Sequence, residues 1–219
     1  MRHPLNIFCM KKSVFIVVSL LYISTAWTQE NPEGVKIGNQ IWMQRNLDVT
    51  TYRNGDTIPM VSDNTTWKKI TTGAWCYYEN DSATYAATYG KLYNWYAVTD
   101  PRGLAPAGWH IPNSEEWNVL VKWLGGIRIA GGKMKATGTT NWLSPNTDAT
   151  NSSKFTGLPG GYRYNNGKFF DMGTSGNWWS TSAPTVTEAW AYGLGFEDGE
   201  VGTDGAYKRS GFSVRCIKD

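Results

Sequence analysis

Apolar residues alternate with polar ones at both ends of the chain, and helical periodicity is confined to its middle. Val35-Lys36-Ile37 and Gln40-Ile41-Trp42-Met43 flank Gly38-Asn39, a pattern that predicts a hairpin. Residues 48–67 are rich in Thr, Asn and Asp, carry Gly55 and Pro59, and read as a surface loop. Residues 74–78 form a short apolar run suited to a buried strand. Tyr89, Leu92, Tyr93, Tyr96 and Ala97 then recur at helical spacing and predict one helix within residues 84–98, weakened at Gly90. A second helix follows Pro112. Asn113 can cap it, Glu116 occupies the reciprocal capping position, and Trp117, Leu120, Val121 and Leu124 give its apolar stripe before Gly125-Gly126.

Beyond residue 126 no helical period remains. Short apolar runs alternate with turn signals: residues 161–164 and 168–172 flank Asn165-Asn166-Gly167, and residues 177–182 form an extended run. Residues 189–196 alternate, residues 197–200 turn them back into Val201, and residues 210–217 read as the last strand. The pattern predicts one α+β domain with two helices, short antiparallel strands and long loops.

The first residues have a different character. Lys11-Lys12 precede the apolar run 13–23, and Ser24-Thr25-Ala26 supplies small residues for cleavage. Residues 1–26 read as a signal peptide, too short for a comfortable membrane span. Residues 27–34 form a polar leader and the domain occupies 35–219. The expectation is export, to the periplasm, the cell surface or the medium, with no membrane span once the signal is removed. Arg2, Lys11 and Lys12 account for the whole excess of 21 basic over 18 acidic residues, so the remainder is neutral. Neither that balance nor any Lys/Arg stripe points to nucleic acid.

Of the three cysteines, Cys76 and Cys216 lie in the domain. An oxidising compartment favours a disulfide between them. Two buried thiols and a two-cysteine catalytic site are the alternatives. Catalytic motifs are otherwise scarce. His110 is the domain's single histidine, so no multi-His metal site forms, and it reads as a hydrogen-bonded structural residue. Glu115 and Glu116 suit the first turn of a helix. Glu115, Glu188, Glu197 and Asp198 are the carboxylates available for acid/base work, and no spacing selects two of them. No catalytic residue is assigned.

Twelve Trp and twelve Tyr say more. Flat apolar faces beside amides and carboxylates suit sugar rings and also protein partners. Trp142, Tyr162, Tyr164, Asn165, Trp178, Trp179, Trp190 and Asp198 are the ligand-binding candidates, with core filling as the competing role for the tryptophans. Asn146, Asp148 and Asn151 could supply oxygen ligands to calcium, the one cofactor considered. A plain loop stabilised by Asx turns is the alternative.

The motifs WCYY (75–78), YGKLYNWYAV (89–98), APAGWHIPNSEEW (105–117), LPGGYR (158–163), WWSTS (178–182) and GFSVRCIKD (211–219) resemble, in that order, the Fibrobacter succinogenes major paralogous domain of exported Bacteroidota and Fibrobacterota proteins. That family has no well-established activity. The resemblance implies a single domain of the formylglycine-generating-enzyme type, a variant of the C-type-lectin fold. HIPNSEEW is similar to the RLPTEAEW segment of that enzyme family, and GFSVR to its closing GFR strand. Its two copper-binding cysteines lie close together late in the chain, whereas here only Cys216 is late, so the oxidative chemistry does not carry over. Some members place a cysteine before GWH. Ala105 stands there in this chain, which leaves Cys76 as the partner for Cys216. The expected function is a non-catalytic binding or adhesion module that recognises a glycan or a surface protein through its loop-rich half. An enzyme on the same scaffold, or a structural domain of a surface assembly, is the alternative.

Overall fold

The first hairpin forms where alternation places it. Strand β1 (Gly34–Ile37) pairs antiparallel with β2 (Gln40–Met43) across Gly38-Asn39, with Gly38 at a positive φ of 63°. The computed structural model describes Met1 and residues 33–219. The expected signal peptide and most of the polar leader lie outside the described residues.

The single helix expected over residues 84–98 is two helices with a strand between them. Helix α2 (Ser82–Tyr89) ends at Gly90, which adopts φ 69° and ψ −153°. Strand β4 (Leu92–Asn94) follows, then the short α3 (Trp95–Val98). Tyr89 belongs to a helix that buries none of its residues, whereas Leu92, Tyr93 and Asn94 are all buried in the sheet. Two short elements laid end to end mimicked one helical stripe. Asn94 organises the junction: its Oδ1 accepts from Ala97 N at the start of α3 and from Ala74 N, and its Nδ2 donates to Thr72 O.

Helix content exceeds the expected pair. Within the expected loop, Asp63 caps α1 (Asn64–Lys69), which buries Trp67. Helix α4 (Ser114–Trp123) has the predicted capping box, with Asn113 Oδ1 accepting from Glu116 N and Glu116 accepting from Asn113 N. Helix α5 (Ile127–Met134) contains Gly131-Gly132, which in sequence reads as a break. The glycines are there for close approach. A Cβ on Gly131 would stand 2.0 Å from Glu200 O, and one on Gly132 would stand 2.5 Å from Asp148 O.

Two sheets hold the domain. The smaller runs β1-β2-β12 (Ile217–Lys218)-β5 (Trp109–His110), all antiparallel. The larger runs β10 (Val201–Tyr207), β9 (Glu188–Gly195), β8 (Ser175–Trp179), β6 (Gly160–Arg163), β11 (Gly211–Phe212), β4, β3 (Trp75–Cys76). Strand β7 (Phe169–Met172) pairs with β6 through the predicted Asn165-Asn166-Gly167 turn. The β6–β8 contact is parallel and the other pairs are antiparallel. The expected last strand is divided between the sheets, because residues 213–216 dive through the interior between β11 and β12. The outcome is a mixed α+β domain with few helices and mostly antiparallel open sheets.

Three apolar clusters fill it. Tyr93, Trp109, Trp179, Phe212 and Cys216 belong to the first. Trp42, Trp117, Trp142, Phe155, Trp178 and Tyr192 belong to the second, where Trp117 stacks on Tyr192 at 4.8 Å and 12°. Trp67, Cys76, Tyr78 and Leu92 form the third.

The disulfide expectation is corrected: Cys76 and Cys216 are both free and buried. Trp75 opposite Tyr93 faces the first cluster, and Cys76 opposite Leu92 faces the third. Successive side chains of a strand point to opposite faces, so the sheet itself separates the two thiols. Burial pushes the Cys76 thiol up to about 12 and raises Cys216 as well, which keeps both neutral.

Candidate functional site

Strands β8, β9 and β10 lie in register, with Asn177 opposite Gly193 opposite Gly202, and Trp179 opposite Ala191 opposite Asp204. One face of this sheet sends Trp178, Tyr192, Leu194 and Val201 into the second core. The other face begins with Trp179, Ala189 and Ala191 in the first core. It then opens outward into a cleft of about 350 Å³. Glycine makes that opening. Gly193 forms part of the floor, and a Cβ there would already stand 3.2 Å from Asn177 Oδ1.

The β6–β7 hairpin supplies one wall through Tyr162, Tyr164 and Asp171, and the end of β10 with β11 supplies the other through Tyr207, Ser210 and Phe212. Phe212 meets Tyr162 edge-on at 5.4 Å, and Tyr164 meets Tyr207 at 6.1 Å and 73°. Phe170 packs against both Tyr162 and Tyr164 from outside the cleft lining. Tyr164 and Tyr207 keep 37% and 40% of their surface exposed. They form an open aromatic corner.

Two carboxylates share the cleft, Asp171 and Asp204, and no Lys, Arg or His lines it. Asp171 has φ 63° and lies across from Gly161, at φ 58°, between the paired positions Gly160–Met172 and Tyr162–Phe170. Aspartate is among the few non-glycine types that tolerate this region. Burial, then the charges of Asp171 and Tyr164, holds the Tyr162 hydroxyl above its ordinary pKa. Asn177 Nδ2 donates to Ser175 Oγ, which fixes that amide against the floor.

The sequence-selected residues divide. Tyr162 and Tyr164 line the cleft. Asn165, at the hairpin tip, lines a neighbouring shallow depression with Asn64, Lys68, Lys69, Asn166 and Arg209. Trp142, Trp178 and Trp179 are buried in the cores, their indoles donating to Gly157 O, Asn46 Oδ1 and Tyr93 O. Trp190 is half-buried on β9 and stands outside the cleft lining. Asp198 lies in the β9–β10 turn, where its side chain accepts from Glu200 N. None of Glu115, Glu188, Glu197 or Asp198 reaches the cleft.

The loop considered for calcium is organised by an internal cation. Asn146, Asp148 and Asn151 all have positive φ, at 47°, 61° and 48°. Asn146 Nδ2 donates to Ala136 O and Gly138 O, and Asn151 Oδ1 accepts from Thr156 N. The ammonium of buried Lys135 donates to Thr147 O, Gly195 O and Asp198 O and so ties this loop to the β9–β10 turn. Among the described residues no group of three His, Cys, Asp or Glu is placed to hold a metal.

His110 bridges two carboxylates, with Nε2 2.7 Å from Glu116 Oε1 and Nδ1 2.7 Å from Asp219 Oδ1. Burial opposes its charge, yet these partners outweigh burial and raise its pKa. The arrangement joins α4, β5 and the end of β12.

Sequence reading missed Asp171, Asn177, Gly193, Asp204 and Tyr207. One signal pointed to them: Gly193 and Gly195 alternate on β9, and Gly202 on β10 stands opposite Gly193. Side chains missing from one sheet face announce a concavity.

Fold and cleft together define a mixed α+β module with an aromatic, acidic surface cleft. The chain belongs to the Fibrobacter succinogenes major domain family, whose model matches residues 35–218. None of the curated proteins compared with the chain matches it. Among the described residues no helix is long and apolar enough to cross a membrane.

Proposed function

We propose that the protein is an exported, non-catalytic binding module on a C-type-lectin-like scaffold, holding a carbohydrate in the cleft between the β6–β7 hairpin and β8–β10. One observation carries this reading: two half-open tyrosines, Tyr164 and Tyr207, stand beside Asn177, Asp171 and Asp204 around a glycine floor. Apolar ring faces stack on aromatic platforms while neighbouring polar groups bond to hydroxyls. Export rests on the apolar run that follows Lys11-Lys12.

A glycan array followed by titration of the best binder tests the proposal. Tyr164→Ala removes one platform, and Gly193→Val fills the floor at a φ that any residue adopts. Each variant is expected to lose binding about tenfold or more while melting within a few degrees of the parent. Absence of glycan binding by the parent protein sinks the carbohydrate reading.

A glycoside-cleaving enzyme is the second reading, because Asp171 and Asp204 line one cleft. Against it, both side chains are exposed and neither has a hydrogen-bond or ion-pair partner among the described residues to set one apart as the acid. Reducing-end release from the array's best ligand decides between binding and cleavage.

A further inference from the structure

We propose that the cleft selects sugars bearing a free amine, of the glucosamine type, over their neutral or N-acetylated counterparts. This rests on the carbohydrate reading above and names the ligand's charge. The chemistry of the lining is one-sided. It contains Tyr162, Tyr164, Tyr207 and Phe212, the two carboxylates Asp171 and Asp204, and not one basic side chain.

Aromatic faces carry negative π density, and a cation held against them is attracted, the more so as water is excluded. Tyr164 and Tyr207 meet edge to face at 6.1 Å and 73°, and both keep part of their rings exposed beside the cleft. Five other carboxylates hold a cation, whereas Glu79, Glu115, Glu188 and Glu197 hold none among the described residues. Asp48 pairs with Lys91, Asp56 and Asp100 pair with Arg102, and Glu116 and Asp219 pair with His110. Asp171 and Asp204 have no such cation among the described residues, although both face one concave site. The two cations that follow β10 are turned elsewhere, and Lys168 of the β6–β7 hairpin does not line the cleft. Lys208 Nζ donates to Thr185 O and Val186 O and lies 4.3 Å from the Trp95 ring centre, and Arg209 lines the separate depression around Asn165.

A cleft that is aromatic and anionic, with no basic side chain in its lining, is complementary to an ammonium on an apolar ring body. A lysine side chain carries the same ammonium. The ring is favoured over it by the wide glycine floor and by the Asn177 amide and Ser210, which suit hydroxyls around a ring rather than a bare alkyl stem.

Calorimetric titration of the full domain with a glucosamine tetramer, its fully N-acetylated form and tetralysine separates the outcomes. The free-amine tetramer is expected to bind about tenfold or more tightly than the acetylated one, with affinity falling as salt rises. Asp171→Asn and Asp204→Asn are each expected to erase most of that preference. Asparagine shares aspartate's tolerance of positive φ, so the first change leaves the backbone undisturbed. Their melting curves confirm that both variants remain folded. Equal binding of the two tetramers overturns the amine selectivity and leaves the carbohydrate reading standing. Failure of every sugar overturns both. Tetralysine binding alone overturns the sugar assignment and points to a basic protein segment instead.

Discussion

Single residues decide most of what is specific here, and His110 shows how far neighbours redefine one. In sequence it sits beside a capping box and a tryptophan and could pass for catalytic machinery. In the fold its two nitrogens each face a carboxylate at 2.7 Å, Glu116 on one side and Asp219 on the other. Its folded pKa is raised above the unfolded value, so the stabilisation it gives is fully present below that unfolded value, near 6.5. It is lost as pH rises through the folded pKa. The expected result is a melting temperature that falls for the parent protein as pH rises from about 6.5 through the raised folded pKa. His110→Gln should start lower and lack that part of the decline. Identical pH profiles for the two proteins would show that the imidazole stays neutral. Neither carboxylate was visible to sequence reading as a pair: Asp219 is 109 positions away from His110. Glu116, six positions away, was legible through helix capping alone.

At the scale of elements, legibility follows the range of the forces involved. The β1–β2 hairpin, the capping box of α4 and the β6–β7 turn depend on neighbours in sequence, and all three were readable. Helix α5 was not, because Gly131-Gly132 is explained by the backbone of residues 148 and 199–200 pressing against it. The stripe from Tyr89 to Ala97 misled for a related reason. Its spacing was helical, but burial of β4 between β3 and β11 pulled Leu92, Tyr93 and Asn94 into a strand. Gly90 is the pivot. At φ 69° and ψ −153° it occupies a region nearly closed to other residues, and a Cβ would stand 3.2 Å from Leu47 O. Gly90→Ala should therefore destabilise the domain by about 1–3 kcal/mol, read from chemical denaturation. A neutral or stabilising result would mean that α2 runs on through residue 90, as its periodicity alone suggests. The cleft was half legible. Tyr162 and Tyr164 stood out as aromatics around a turn, whereas Asp204 and Gly193 join them through the β8–β9–β10 register, which one-dimensional pattern does not encode.

Across the whole molecule, loops rather than helices set the economy of the interior, and buried cations hold them. Arg215 donates to Met43 O, Gln44 O and Phe155 O and to Asn46 Oδ1. Arg163 donates to Val61 O, Ser62 O and Gly167 O and to Asn64 Oδ1, with its guanidinium 4.3 Å from the Trp67 ring centre. Lys135 gathers three carbonyls more. Most of these carbonyls lie outside strands and helices, and buried polar groups left unpaired are costly. Long irregular segments can therefore be interior without a cross-link. That division of labour bears on the two thiols. If cations and three aromatic cores already close the loops, a bridge between Cys76 and Cys216 is not needed to hold the sheets together, and the sheet that separates the thiols prevents one. The expected behaviour is specific. Alkylation of the native domain, residues 35–219, leaves its mass unchanged, since both of its thiols are buried and neutral. Alkylation in denaturant without any reductant adds two groups, and reductant does not shift the melting temperature. A protein that gains no group in denaturant until it is reduced would hold the bridge after all. That would require β3 to turn Cys76 onto the face where Tyr93 and Cys216 now pack.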